Sequence, residues 1–415
     1  MRGTGTSVRK LWPRRAAIAG LFFLLGFCLA VWAVNIPAIQ ATVHASNALL
    51  GVLLLAMGAG SVAGMQIAGP FVDRVGSKRI MVWGAVILAV GISLPGFAME
   101  PIGLGIGLFV YGLGNGVIEV SVNDQAVRLE RVWRRPIMGS IHAFFSIGSA
   151  AGASIGALMA NLGLSARWAL GTGTVTAVIL ACCCIPLLSA GVMHKEMPAA
   201  AAPENSTEGP RPRRVAALAL LAFLMMLAEG TANDWSALQA TERFEAPGGT
   251  AALAYGVFAV AISVGRLLSD VIVHASSPKL VVRYGAAAAA LGMTIVVLSP
   301  DFWLTVAGWA VFGTGLSGMT PTIFSAAGNL GGANQGVVIS RVVGSGFVGL
   351  LAGPAIIGWL AEFTGLTNAL VLPLVFCVLT VWLASNVEAP RPNQSNEAEA
   401  TMSPVFAGSR SGEGS

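Results

Sequence analysis

The sequence predicts an all-α membrane protein: twelve transmembrane helices in two pseudo-symmetric six-helix bundles. Three observations carry that reading. Of 415 residues, 55% are hydrophobic and only 10% charged, a balance that soluble globular domains do not adopt. The apolar residues gather into twelve runs of about 20 residues, the length a helix needs to cross a bilayer. The second half of the chain also repeats the first at an offset of about 200 residues. Asn35–Gln40 (NIPAIQ) aligns with Asp234–Gln239 (DWSALQ), Gly112-Leu-Gly114 with Gly313-Thr-Gly315, and Gly148–Ala153 (GSAAGA) with Gly349–Pro354 (GLLAGP).

Taken in order, residues 1–14 are a basic cytoplasmic tail. The predicted spans of the first bundle, 15–190, are 15–34, 47–69, 80–98, 102–127, 137–162 and 168–190. A basic start followed by an apolar run is also a signal-peptide pattern; the length of the run and the spans after it favour a first membrane helix. Residues 191–214, rich in Ala, Pro and charge, read as a flexible linker. The second bundle, 215–386, holds spans 215–239, 250–273, 280–298, 302–326, 336–360 and 366–385. Residues 387–415, polar and poor in aromatics, read as a disordered tail. Gly148, Gly152 and Gly156 recur every fourth residue in span five, a stripe that lets helices approach closely. Cys28, Cys182, Cys183, Cys184 and Cys377 have neither disulfide nor metal-ligand spacing and read as small core residues.

The net charge of +5 does not mark a nucleic-acid face, because the basic residues form short clusters between apolar runs. Arg74/Lys78/Arg79, Arg128/Arg131/Arg134/Arg135 and Arg211/Arg213/Arg214 fall on even-numbered connections, and the odd-numbered ones hold only Arg167 and Arg243. The positive-inside rule predicts both termini in the cytoplasm, in a cell inner membrane. No nucleophile elbow, zinc-ligand spacing or phosphate loop is present, since Gly103, Gly105 and Gly107 lie inside a span with no strand before them. The expected protein is not an enzyme and needs no metal or other cofactor.

Polar residues inside the spans mark the candidate site. In span four, Asn115, Glu119 and Asn123 are spaced by four and share one helical face. A carboxylate at membrane depth costs about 2.5–3.5 kcal/mol on insertion scales, so Glu119 is expected to face protein or a water-filled cavity. In span seven, Glu229 and Asn233 share a face with Asp234 and Trp235 beside them, and Gly230 is expected to loosen the helix. Trp235 fits either an interfacial anchor or a stacking platform for a sugar. His142, on one face with Ser146 and Ser149, fits either a helix-to-helix hydrogen bond or a proton relay. Asn35, beside Pro37, fits a helix cap or a cavity residue.

After span two comes GPFVDRVGSKR, in which Gly69, Asp73, Arg74, Gly76, Lys78 and Arg79 follow the pattern G-x-x-x-D-R-x-G-x-K/R-R/K. This resembles the loop between helices two and three of the major facilitator superfamily. The resemblance implies that Asp73 and its basic neighbours hold a cytoplasmic gate; the second half keeps only Gly265-Arg266 of the pattern, so a symmetrical gate is not expected there. The segments VWAVNIPAIQ, IEVSVNDQAV, MGSIHAFFSIGSAAGA and AEGTANDW are similar to YbjJ-type bacterial inner-membrane permeases, relatives of the fucose-permease-like branch. That resemblance implies proton coupling and sugar binding at Glu119 and Asn123, while Asn35 stands where the branch often has Arg. Drug/proton antiporters carry an Arg early in span four, where this chain has Val110, and a Gly-Pro motif in span five, where it has Gly152-Ala153.

The predicted function is secondary active transport of a small polar solute, a sugar or related compound, by alternating access and proton symport, in a monomer. Proton-driven efflux and a non-transporting sensor are the alternatives. Glu119, His142 and Glu229 are the proton-coupling candidates. Asn35, Asn115, Asn123, Asn233, Asp234 and Trp235 are the substrate candidates, and the motif residues with Arg266 the gating ones. Counted along the predicted spans, Glu119 lies about 12 Å and His142 about 8 Å from the cytoplasmic end, and Glu229 about 21 Å. Glu119 with His142 would then form an inner polar layer, and Glu229 with Asp234 an outer one.

Overall fold

The computed structural model describes residues 11–45, 47–190, 212–246, 248–330 and 334–388. Every regular element among them is helical, as the bilayer demands: with no water to satisfy backbone amides and carbonyls, a chain must pair them within each segment. The first half contains α1 (Trp12–Thr42), α2 (Asn47–Val75), α3 (Ser77–Ser93), α4 (Pro101–Trp133), α5 (Met138–Asn161) and α6 (Ala166–Cys184). The second contains α7 (Pro212–Phe244), α8 (Gly248–Ala275), α9 (Pro278–Leu298), α10 (Phe302–Ser317), α11 (Met319–Leu330), α12 (Gln335–Thr364), α13 (Leu366–Ala369) and α14 (Val371–Leu383).

Eleven segments among the described residues are long and apolar enough to cross a membrane unbroken, α13 and α14 forming one of them with a closing 3₁₀ turn. The predicted tenth span is the exception, divided into α10 and α11 at Gly318. Pro321 has no N–H to give the carbonyl of Ser317, so the ladder breaks there. The Thr322 hydroxyl donates to the Gly318 carbonyl at 2.6 Å and repairs part of it.

The two halves repeat one packing scheme. α1 lies against α5 as α7 lies against α12, and α2 against α4 as α8 lies against α10. α1 and α7 are the most enclosed, 72% and 67% buried over their apolar windows, against 17% for α8. The glycine stripe of α5 serves the first of these contacts: a Cβ at Gly148 or Gly152 would collide with the carbonyl of Phe23 or Phe27 on α1.

Several expectations are corrected. α4 continues six residues past its predicted end, because the basic stretch Arg128–Trp133 stays helical beyond the apolar run. α1 starts at Trp12 and α7 at Pro212, inside the predicted tail and linker. The rest of the linker, 191–211, and tail residues 389–415 lie outside the described residues. α7 is not loosened at Gly230; the missing side chain there admits the Leu350 carbonyl of α12, which a Cβ would approach to 2.6 Å. α1 runs unbroken through Asn35 and Pro37, so Asn35 caps no broken helix. Cys182 and Cys183 are exposed on α6 rather than in the core.

Candidate functional site

Glu119 is 5% exposed, enclosed by protein. The helical spacing that put Asn123 on its face also joins the two: the Asn123 amide donates to the Glu119 carboxyl at 3.1 Å and to its backbone carbonyl at 2.9 Å. Asn123 Oδ1 is buried without a partner. Asn115, one turn further along α4, is half-buried.

Glu229 is a mid-helix carboxylate of the second half, on α7, which repeats α1 rather than α4. α4 and α7 are each 33 residues long, and the two carboxylates lie within two residues of their midpoints, Val117 and Ala228. Glu119 is five residues, about 7.5 Å, from Asp124, which bonds Gln335 at the start of α12, and His142 is four residues into α5, about 6 Å. Glu119 and His142 thus lie at similar distances from the starts of α12 and α5 at the basic end.

Their partners differ. Glu229 is paired with Arg266 of α8, whose one terminal nitrogen donates to both carboxylate oxygens at 2.8 and 2.9 Å. Arg266, expected in a gate, is therefore a partner within the second half. Its Nε is buried and unpartnered. His142 lies within electrostatic reach of Arg266 across the seam between halves, wedged between Phe22 of α1 at 4.4 Å and Phe324 of α11 at 5.9 Å. Its Nδ1–H donates to the Met138 carbonyl at 2.8 Å, and Nε2 is buried with no partner. The structure thus associates His142 with the Glu229–Arg266 pair through the seam, and gives it no bond to Glu119.

The remaining substrate candidates lie from the midpoints toward the other end. Asn35 is buried and donates to the Val31 carbonyl at 2.8 Å. Asn233 and Asp234 are exposed on α7. Trp235 packs on Gly358 of α12 and leaves its indole N–H unpartnered. Tyr255 of α8, which the sequence reading missed, lies within electrostatic reach of both Asp234 and Glu229.

At the basic end the halves are latched. Asp73, near the end of α2, accepts the amides of Gly336 and Val337 at 2.6 and 3.0 Å, capping the N-terminus of α12 in the opposite half. A carboxylate there satisfies amides without intrahelical partners and faces the positive end of the helix dipole. The second half has the same device. Asp270, near the end of α8, accepts the amides of Gly139 and Ser140 at 2.8 and 3.0 Å, capping α5. Donors and acceptors are both displaced by 197 residues, so the lock is symmetrical after all. The signal was present in the repeat, but the second acid stands without the basic residues that mark the first.

Further bonds surround the latches. Gln335 donates to Asp124 at 2.8 Å, and Asp124 pairs with Arg128 one turn on at 2.8 Å. Arg131 reaches Asn329 and the Gly328 carbonyl at 2.7 Å each, Ser325 bonds Glu130, and Gln66 donates to the Ser340 carbonyl at 2.9 Å. Gly69 lets α2 meet α12, since a Cβ there would lie 2.8 Å from that of Ser340. Other motif residues do not cross between halves. Gly76 adopts φ +88° in the turn after α2, and Lys78 binds the carbonyls of Pro186 and Leu188 within its own half. Arg74 and Arg79 are exposed.

Comparison with known proteins fits this architecture. The Major Facilitator Superfamily profile matches residues 18–327 and 218–410. This chain belongs to the Major Facilitator Superfamily. The facilitator is 30% identical to an uncharacterized MFS-type transporter of Yersinia pestis, across 84% of this chain and 89% of the relative. It shares the fold of the E. coli fucose:proton symporter FucP (TM-score 0.72, 16% identity, 91% of this chain and 98% of FucP). It also shares that of the proton:xylose symporter XylE (TM-score 0.74, 12% identity, 91% and 95%). The facilitator is thus a multi-pass membrane transporter, which implies a bilayer around it and a small-molecule substrate.

Proposed function

We propose that this facilitator is a proton-coupled symporter for a small polar solute, with monosaccharides the first class to test. One observation carries the coupling. Glu119 is a carboxyl at mid-helix whose hydrogen-bond partner is a neutral amide, so it can gain or lose a proton without breaking an ion pair. The sugar class rests on likeness to FucP and XylE and on the segments similar to YbjJ-type permeases.

Solute enters from the end opposite the latches, past Asn35, Asn115, Asn233, Asp234 and Trp235. Rocking of the halves breaks the latches and opens the basic end. By the positive-inside rule that end is cytoplasmic, so this conformer faces outward, with both termini inside an inner membrane.

Uptake of labelled fucose and xylose into proteoliposomes, with and without an inward proton gradient, tests the reading. The expected result is gradient-driven accumulation in wild type and, in Glu119→Gln, equilibration without accumulation. Accumulation by Glu119→Gln equal to wild type would overturn the coupling assignment. A sugar-free response to another solute class would overturn the substrate class alone.

A further inference from the structure

The basic end contains a cavity that the transport reading does not use. It is about 460 Å³ in volume and lies between the α4–α5 connection of the first half and α7, α8 and α11 of the second. Arg131, Arg134, Arg135 and Arg214 line it, together with Glu130 and Asp270. Four cations against two anions leave two positive charges in excess.

Both acids oppose an incoming anion, but both are engaged. Glu130 accepts the amides of Ile137 and Met138 at 2.9 and 3.2 Å and the Ser325 hydroxyl. Asp270 accepts those of Gly139 and Ser140. Among the arginines, Arg131 is bonded to Asn329 and Gly328, and Arg214 to the backbone carbonyls of Asn386 and Glu388. Arg134 and Arg135 are exposed, and their guanidinium groups have no hydrogen-bond partner among the described residues. Arg134 holds a left-handed backbone, φ +54° and ψ +28°, as the C-cap of α4, its amide closing on the Glu130 carbonyl at 2.9 Å. That conformation costs a non-glycine residue energy. Here it turns the chain at a point where Arg134 and Arg135 both line the cavity.

The level of the cavity narrows the chemistry. A 33-residue helix is about 50 Å long, against about 30 Å of hydrocarbon, so the Arg-rich end of α4 reaches headgroup depth or beyond. Guanidinium groups match phosphate oxygens in a two-pronged geometry that lysine does not offer.

We propose that this cavity binds a phosphate group, with Arg134 and Arg135 as its ligands, and that occupancy ties the two halves together at the basic end. The phosphate is that of an anionic lipid headgroup or a free anion, and both present the same oxygens to the arginines. Binding does not depend on the proposed function. Its consequence for transport does, because only an alternating-access protein is inhibited by a bound group that holds one end shut.

The test uses full-length protein in detergent and reads thermal stability, since a ligand of the folded state raises it in a saturable way. Three additions are compared: inorganic phosphate, phosphatidylglycerol and zwitterionic phosphatidylcholine. Chloride at matched ionic strength controls for screening. Stabilisation by phosphate identifies the free anion, and stabilisation by phosphatidylglycerol alone identifies the headgroup; either supports the site. Arg134→Gln/Arg135→Gln is expected to weaken the response roughly thirtyfold, at the value of two basic residues near an anionic surface. Arg167→Gln, an exposed arginine at the opposite end, is expected to leave it unchanged. An equal response to chloride or phosphatidylcholine, or an undiminished response in the double variant, overturns the proposal. Since no solute flux is measured, failure of the transport reading would show only in the uptake assay.

Discussion

The buried carboxyls and the basic end treat the repeat in opposite ways. At the basic end the halves match: Asp73 caps α12 and Asp270 caps α5, each through two backbone amides at nearly equal distances. In the interior the two carboxylates do not stand on repeat counterparts, since α7 repeats α1 and α10 repeats α4. Glu119 meets a neutral amide one turn away on its own helix, and Glu229 an arginine on a neighbouring one. Symmetry is kept where the two bundles close on each other and is absent around the buried carboxyls; in the proposed symport, Glu119 is the one free to change charge. An ion pair resists protonation, because neutralising the acid strands the cation; an amide partner accepts either state.

The largest expected effect concerns the buried carboxyls. Arg266→Ala strands Glu229, whose side chain is 17% exposed, and is expected to cost about 3 kcal/mol in unfolding experiments in mixed micelles. The double variant Arg266→Ala/Glu229→Ala should recover more than half of that loss; no recovery would mean that the pair is not the source of the cost.

The latches come next, and here equality is the prediction. Asp73→Ala and Asp270→Ala should each shift the basic end toward opening by about 1–2 kcal/mol, the value of a charged helix cap. Labelling of a cysteine introduced at Ser340, which is buried against α2, reads the shift in a background without the native cysteines. The two effects should add in the double variant, and a clear inequality between them would break the symmetry argued here.

The smallest effect is on Glu119. Because glutamine can keep the bond to Asn123, Glu119→Gln should change stability by less than about 0.5 kcal/mol. A large loss would show that the carboxylate, rather than the hydrogen bond, holds α4 in place.

The apolar runs and the repeat made the helical layout legible, because each crossing must be both long and apolar. Helix ends were less so: hydropathy stops at the edge of the hydrocarbon, whereas α4 carries its charged residues onward to Trp133. Contacts one turn apart, such as Glu119 with Asn123, could be read from spacing. The Glu229–Arg266 pair, 37 residues apart on separate helices, could not. Asp270 was hidden because a helix cap requires only a carboxylate at the right level, and the loop after α8 has shed the charges that made Asp73 conspicuous. The break at Gly318 was equally hidden, since Pro321 sits in a run apolar enough to pass as continuous.

The two caps also make the fold its own recorder. The amides of Gly139, Ser140, Gly336 and Val337 are held by carboxylates of the opposite half, so local fraying of α5 or α12 alone does not release them. In the proposed alternating-access cycle they become available to solvent when the halves part. Deuterium uptake at these four positions therefore counts visits to the other conformer, at both seams together and without any label, and a solute or headgroup that biases the cycle will change that count.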